Sequence, residues 1–224
     1  MPTLRAAIWL TSLQFFLVSA AVADGAKALR VATFNVSLYG QRPGEMLERL
    51  ADKDDPQIAA IAEIIQRVRP DVLLLNEFDY DAKGAAIERF QQNYLAVAQH
   101  ASRHPDGPAE PIQYAYSFTD RSNTGVASGF DFDNDGQVDE TPGDDTFARD
   151  AFGFGRFAGQ YGMAILSRYP IAVDDVRTFA EFRWQDMPDA RWPDDPETEA
   201  PDDWYDAAEQ AGFRLSSKRH WDVP

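Results

Sequence analysis

Apolar Leu29 and Val31 flank Arg30, and the β-prone Thr33 and Phe34 carry the run on to Asn35, which predicts a strand over 29–35. A turn containing Gly40, Pro43 and Gly44 follows, then a short helical piece around Met46–Leu50. Asp54-Asp55-Pro56 opens a longer helix, with an Asp cap and a Pro in the first turn, where its missing N–H costs nothing. Ile58, Ile61, Ala62, Ile65 and Val68 recur at spacings of three and four and make one apolar face. Pro70 ends that helix, and Val72-Leu73-Leu74-Leu75 begins a second strand, whose unbroken apolar run predicts burial on both faces. Further along, 162–167 reads as another strand.

Strand, helix, strand within one sheet predicts parallel neighbours joined by a right-handed crossover. Both strands then finish at one edge, the edge where open α/β sheets bind ligands. Asn35 and the trio Asn76-Glu77-Phe78 stand there. A carboxylate directly after three leucines is costly to bury unpaired, so a cation or an ion pair must compensate it. Glu77 is accordingly either a ligand for a cation or a cap or salt-bridged residue on the rim.

Composition narrows the function. With 37 acidic side chains against 21 basic ones, the formal net charge of −16 repels polyanions and disfavours long nucleic acid as a partner. The absence of Cys excludes a disulfide scaffold, thiol chemistry and Cys-ligated metal centres. Residues 1–23 read as a signal peptide: Arg5 is the positive region, Ala6 to Val18 the apolar core and Ala21-Val22-Ala23 the cleavage pattern. The alternative is an uncleaved anchor or a buried N-terminal helix. Export predicts a periplasmic or extracellular protein with no stable membrane insertion after cleavage. Residues 24–224 show no repeat or linker and read as a single region with acidic inserts at about 131–145 and 186–209. Nothing in the sequence identifies a protein partner.

The first insert, from Asp131 to Asp139, matches the first nine positions of an EF-hand-type calcium loop, with oxygen ligands at Asp131, Asp133, Asp135 and Asp139 and the turn glycine at Gly136. Pro142 replaces the closing Glu, which leaves Glu140, Asp144 or Asp145 to complete the shell. Seven acids and no base lie between Asp131 and Asp145, a repulsion that Ca²⁺ would relieve. A solvated acidic turn is the alternative. Arg156, just beyond, either faces a phosphate or pairs with these acids. From Asp186 to Glu209, 10 acids and 4 prolines oppose a packed core and predict a long surface loop, pinned to the body by Trp192 and Trp204.

Three blocks in order, Thr33-Phe34-Asn35, then Pro70 through Glu77, then Tyr161-Gly162-Met163-Ala164-Ile165-Leu166-Ser167-Arg168-Tyr169-Pro170-Ile171, resemble the endonuclease/exonuclease/phosphatase superfamily, in particular a secreted bacterial branch of it. The resemblance implies a DNase I-like four-layer α/β sandwich, of which this chain supplies the N-terminal half, and metal-dependent hydrolysis of phosphoesters by water. It also implies that Glu77 ligates Mg²⁺ or Mn²⁺ and that Asn35 positions phosphate and metal-bound water. The family's later Gly-Asp-x-Asn and Ser-Asp-His motifs are missing from the sequence, so the chain is read as a fragment and activity is expected of a longer chain. Small phosphoesters suit the acidic charge best. The competing reading is a non-catalytic, calcium-stabilised extracellular module.

Overall fold

The computed structural model describes residues 28–201 and 203–224, so the signal-peptide assignment at 1–23 lies outside the described residues. Strand β1 (Val31–Leu38) leads to helices α1 (Glu45–Ala51) and α2 (Pro56–Val68), and strand β2 (Val72–Phe78) follows. Helix α3 (Ala85–Phe90) runs into a π-helical turn, Gln91–Leu95, and strand β3 is Tyr116–Phe118. Next come helix α4 (Asp145–Asp150) and strand β4 (Met163–Ser167). Strand β5 (Arg177–Thr178), helix α5 (Ala207–Gly212) and strand β6 (Trp221–Asp222) complete the order. The main sheet has the order β1-β2-β4-β3, with β1 parallel to β2 and β4 antiparallel to both β2 and β3, while β5 and β6 form a separate pair.

Local sequence explains the boundaries of α2. The Asp55 carboxylate accepts the backbone N–H groups of Gln57 and Ile58 at 3.0 and 3.1 Å, satisfying donors that the first turn leaves open. At the other end Arg69 takes a left-handed conformation (φ 51°) and Pro70 prevents another turn. Ile58, Ile61, Ala62 and Ile65 pack on one face of the sheet, against Leu73, Leu75, Val36, Ala164 and Leu166. Val68, expected on that apolar face, is exposed.

Two expectations are corrected here. The first strand does not stop at Asn35 but continues to Leu38, with a break in register between Asn35 and Leu38. Nor is β2 buried on both sides: Leu73 and Leu75 are buried, whereas Val72 and Leu74, pointing the other way, are only half-buried. On that second face Val31 pairs with Val72, Val72 with Ser167 and Ser167 with Tyr116, and both Val31 and Tyr116 are exposed. An apolar run specifies burial of a strand's length without saying which layer covers which side. The described residues thus form the mixed α/β fold expected, with a four-stranded main sheet that carries a helix layer on one of its faces and a separate two-stranded sheet.

An aromatic cluster makes a second, smaller core. Phe132 packs on Phe130, Phe152, Tyr205 and Phe213, while Trp192 meets Trp184, Tyr205 and Phe213. This cluster anchors the acidic segment 186–209. Its Trp204 donates its indole N–H to the Phe132 carbonyl at 3.4 Å, and the Trp204 carbonyl accepts from Asn134 at 2.8 Å.

Candidate functional site

Asn35 and Asn76 stand opposite each other in the β1–β2 ladder, on the sheet face that the helices leave open. There the Asn35 side-chain N–H donates to Glu77 Oε1 at 2.7 Å, so the two residues singled out from the sequence do come together. The amide is aimed by its other end, where Oδ1 accepts the Ser37 backbone N–H at 3.0 Å. That acceptor role fixes which end of the amide faces Glu77. The second carboxylate oxygen of Glu77 has no hydrogen-bond partner among the described residues.

The backbone is unusual at this edge. Ser37, Glu77 and Tyr161 all have positive φ (47°, 56° and 55°) without being glycine. Such conformations cost about 1 kcal/mol or more and persist where surrounding structure holds them. The holding contacts are visible. Asp79, buried two residues past Glu77, accepts the Gly40 N–H at 2.8 Å with one oxygen and the Tyr161 N–H at 2.9 Å with the other. It thereby ties the end of β1, the end of β2 and the entry to β4. Burial pushes the Asp79 carboxyl up to about 6, against the lowering effect of those two donors. Gly162 is required sterically, because a Cβ there would lie 2.9 Å from the Phe78 carbonyl oxygen.

Sequence reasoning missed Lys218. Its ammonium donates to the Tyr161 carbonyl and lies near the Tyr161 ring. Burial lowers its pKa, and the negative charges of Glu77 and Asp79 oppose that shift. Lys218 arrives from a segment far along the chain from Glu77, in the short basic run Lys218-Arg219-His220, which by itself points to no site. Arg156 is close by but committed: its Nε donates to Asp145 at 2.8 Å and its Nη1 to Gln41 at 2.8 Å. This is the pairing with the acidic insert that the sequence left open as one alternative.

The Asp-rich loop assembles a different set from the expected one. Carboxylate oxygens of Asp131, Asp133 and Asp150 lie within 4.8 Å of one another, close enough to hold a cation. Asp150, at the end of α4, takes the place assigned to Glu140, Asp144 or Asp145. Asp144 instead caps α4 and Asp145 pairs with Arg156. Asp135 and Asp139 lie outside the group of three, and their backbone N–H groups donate to Asp131 and Asp150. Burial and the charges of Asp135 and Asp150 raise the Asp133 pKa. The sequence signal for Asp150 was weak, since it depends on α4 returning the chain to the loop.

No curated protein and no solved structure compared with the chain matches it. A family model does match, over residues 32–220, and it spans both the Asn35–Glu77 edge and Lys218. On that match, the chain belongs to the Endonuclease/Exonuclease/phosphatase family, a superfamily of phosphoester hydrolases.

Proposed function

We propose that the Asn35–Glu77 edge is the metal-binding half of a phosphoester hydrolase site, with a small phosphomonoester or phosphodiester as substrate. The observation that carries this reading is the 2.7 Å hydrogen bond joining Asn35 and Glu77 between the carboxyl-terminal halves of two parallel strands. The donor set suits Mg²⁺ or Mn²⁺. These ions prefer oxygen ligands, keep several waters and often take only one or two carboxylates from the protein, and Glu77 offers one oxygen already oriented and one still open. When bound, the ion supplies positive charge against that building on the phosphate oxygens. Glu77 holds it, Asn35 donates an N–H toward a phosphate oxygen, and Asp79 keeps the three chain segments in register. Water adds to phosphorus as the ester P–O bond breaks, and the departing oxygen takes a proton. The base for that water belongs to Asp-x-Asn and Ser-Asp-His motifs, so the activity is proposed for a chain that also carries them.

We further propose that the Asp131–Asp133–Asp150 cluster takes Ca²⁺ as a structural ion that orders the insert. Burial, with the charges of Asp135 and Asp150, raises Asp133, and a bound cation offsets both effects, which supports this. Export to a compartment supplied with divalent cations fits both ions. The net charge of −16 supports small substrates over long nucleic acid.

The test is hydrolysis of bis(4-nitrophenyl) phosphate and 4-nitrophenyl phosphate by the full-length gene product with Mg²⁺ or Mn²⁺. Activity is expected to vanish in EDTA and to fall about a hundredfold or more in Glu77→Gln. Full activity in Glu77→Gln, or turnover indifferent to EDTA, contradicts the assignment. A folded protein with no turnover on any phosphoester leaves the alternative of a calcium-stabilised module.

A further inference from the structure

Behind Tyr80, three residues past Glu77, lies a cavity of about 440 Å³, a size usual for small-molecule sites. Its wall gathers Arg121, Arg214 and Arg219 with Ser122, an unusual concentration of positive charge in a chain of net charge −16. Elsewhere most arginines of the described residues are tied to carboxylates or to backbone carbonyls. Here the pairing is incomplete. The guanidinium of Arg121 has no hydrogen bond or ion pair among the described residues. Arg214 stacks over Phe152 at 3.8 Å and donates to the Asn123 side-chain oxygen at 2.6 Å, with no carboxylate of the described residues in ion-pair contact. Arg219 pairs with Asp120, but its Nε–H is buried with no hydrogen-bond partner. A buried N–H left unpaired costs free energy unless something absent from the protein accepts it.

The electrostatics agree with that geometry. Burial lowers the Arg214 pKa, Glu181 opposes the shift, and the charge of Arg219 adds to it. Two like charges held side by side without enough acid between them are stabilised by an anion. Guanidinium groups recognise phosphate oxygens by paired, charge-assisted hydrogen bonds, which a point-like ammonium does not match.

The pocket and the Glu77 edge are built from neighbouring residues of the same chain segments. Tyr80 lines the pocket, and the Tyr80 N–H donates to the Gly159 carbonyl at 2.8 Å beside Tyr161. Lys218 and Arg219 are adjacent in the chain and serve the two places separately. The Lys218 ammonium reaches Tyr161 near Glu77, and its carbonyl accepts the Asn123 N–H at 2.9 Å next to the pocket.

We propose that Arg121, Arg214 and Arg219 form a phosphate-binding pocket that holds a second, non-reacting phosphate group of the substrate. The pocket stands on its own evidence; its assignment to the substrate rests on the hydrolase reading of the Glu77 edge. The experiment is calorimetric titration of the metal-free protein, in EDTA at constant ionic strength, with inorganic phosphate and with phenyl phosphate. Saturable binding of both is expected, with phenyl phosphate at least as tight because the cavity exceeds one phosphate in size. Arg121→Gln is expected to weaken binding about tenfold while keeping the wild-type melting temperature, since Arg121 is exposed and unpartnered. Glu77→Gln is expected to bind phosphate as wild type does. No saturable binding, or equal binding by Arg121→Gln and wild type, overturns the pocket. Loss of phosphate binding in Glu77→Gln moves the anion to the sheet edge and overturns it as well. Phenyl phosphate binding more than about tenfold weaker than phosphate overturns only the link to substrate. Failure of the hydrolase assay leaves the phosphate titration unaffected, so the two readings fail separately.

Discussion

Glu77, one residue before the end of β2, has φ at 56°, a conformation in which any Cβ is strained and glycine is not. The metal-binding role proposed for the carboxylate accounts for a side chain kept there at a cost in stability. Replacing Glu77 with Gly is therefore expected to give a protein about 1 kcal/mol more stable than Glu77→Ala, and inactive in a full-length background. Equal melting temperatures for the two variants would count against strain at this position. Glu63 makes a separate prediction about pH. Burial pushes its carboxyl up, but the Ser102 hydroxyl and N–H and the Arg67 guanidinium outweigh that and hold it down at about 2, against an ordinary value of 4.5. A depressed carboxylate stabilises the fold above its unfolded pKa and loses that contribution as pH falls through its folded value. Stability is thus expected to fall between about pH 4.5 and 2, and Glu63→Gln to flatten that slope while costing about 2 kcal/mol at neutral pH. Denaturant titrations across that range check both. Asn35 and Glu77 were legible because the local pattern of strand, helix and strand predicts a parallel pair whose carboxyl-terminal halves meet at one edge, even though β1 runs on past Asn35 to Leu38. Asp150, Lys218 and the three pocket arginines were not, because only the folded chain brings them to their partners.

At the scale of elements, the two faces of one sheet behave differently. Leu73 is 1% exposed against α2, whereas Val31 is 65% exposed on the opposite face. Leu73→Ala is expected to cost about 2–5 kcal/mol through the cavity it leaves, and Val31→Lys to stay within about 0.5 kcal/mol of wild type. Comparable losses would mean that the open face is covered in solution. The parallel β1–β2 pair and α2 were legible because caps, Pro and periodicity are local signals. The antiparallel placement of β4 beside β2, and of β3 beside β4, was not. It depends on a long, irregular connection through the acidic loop and the aromatic cluster, and no short-range pattern encodes such pairings. The same run of leucines that located β2 overstated its burial, since hydrophobicity reports a strand's fit to a core and not the number of layers around it.

Over the whole molecule, acidic charge is concentrated in two inserts, and α4 brings Asp150 to two carboxylates of the first, Asp131 and Asp133. Ca²⁺ at a hundredfold excess over its dissociation constant is expected to raise the melting temperature by roughly 5–10 °C. The shift is expected to disappear in Asp131→Asn/Asp150→Asn, and an unchanged shift in that variant would remove the structural-ion assignment. The acidic cluster and the Glu77 edge must be separated experimentally, because each offers oxygen ligands. Mn²⁺ binding followed by electron paramagnetic resonance, in a protein whose cluster is disabled by Asp131→Asn/Asp133→Asn, isolates the edge. One Mn²⁺ equivalent is expected to remain and to be abolished by Glu77→Gln; Mn²⁺ bound equally well with and without the Glu77 carboxylate would contradict a metal site at this edge.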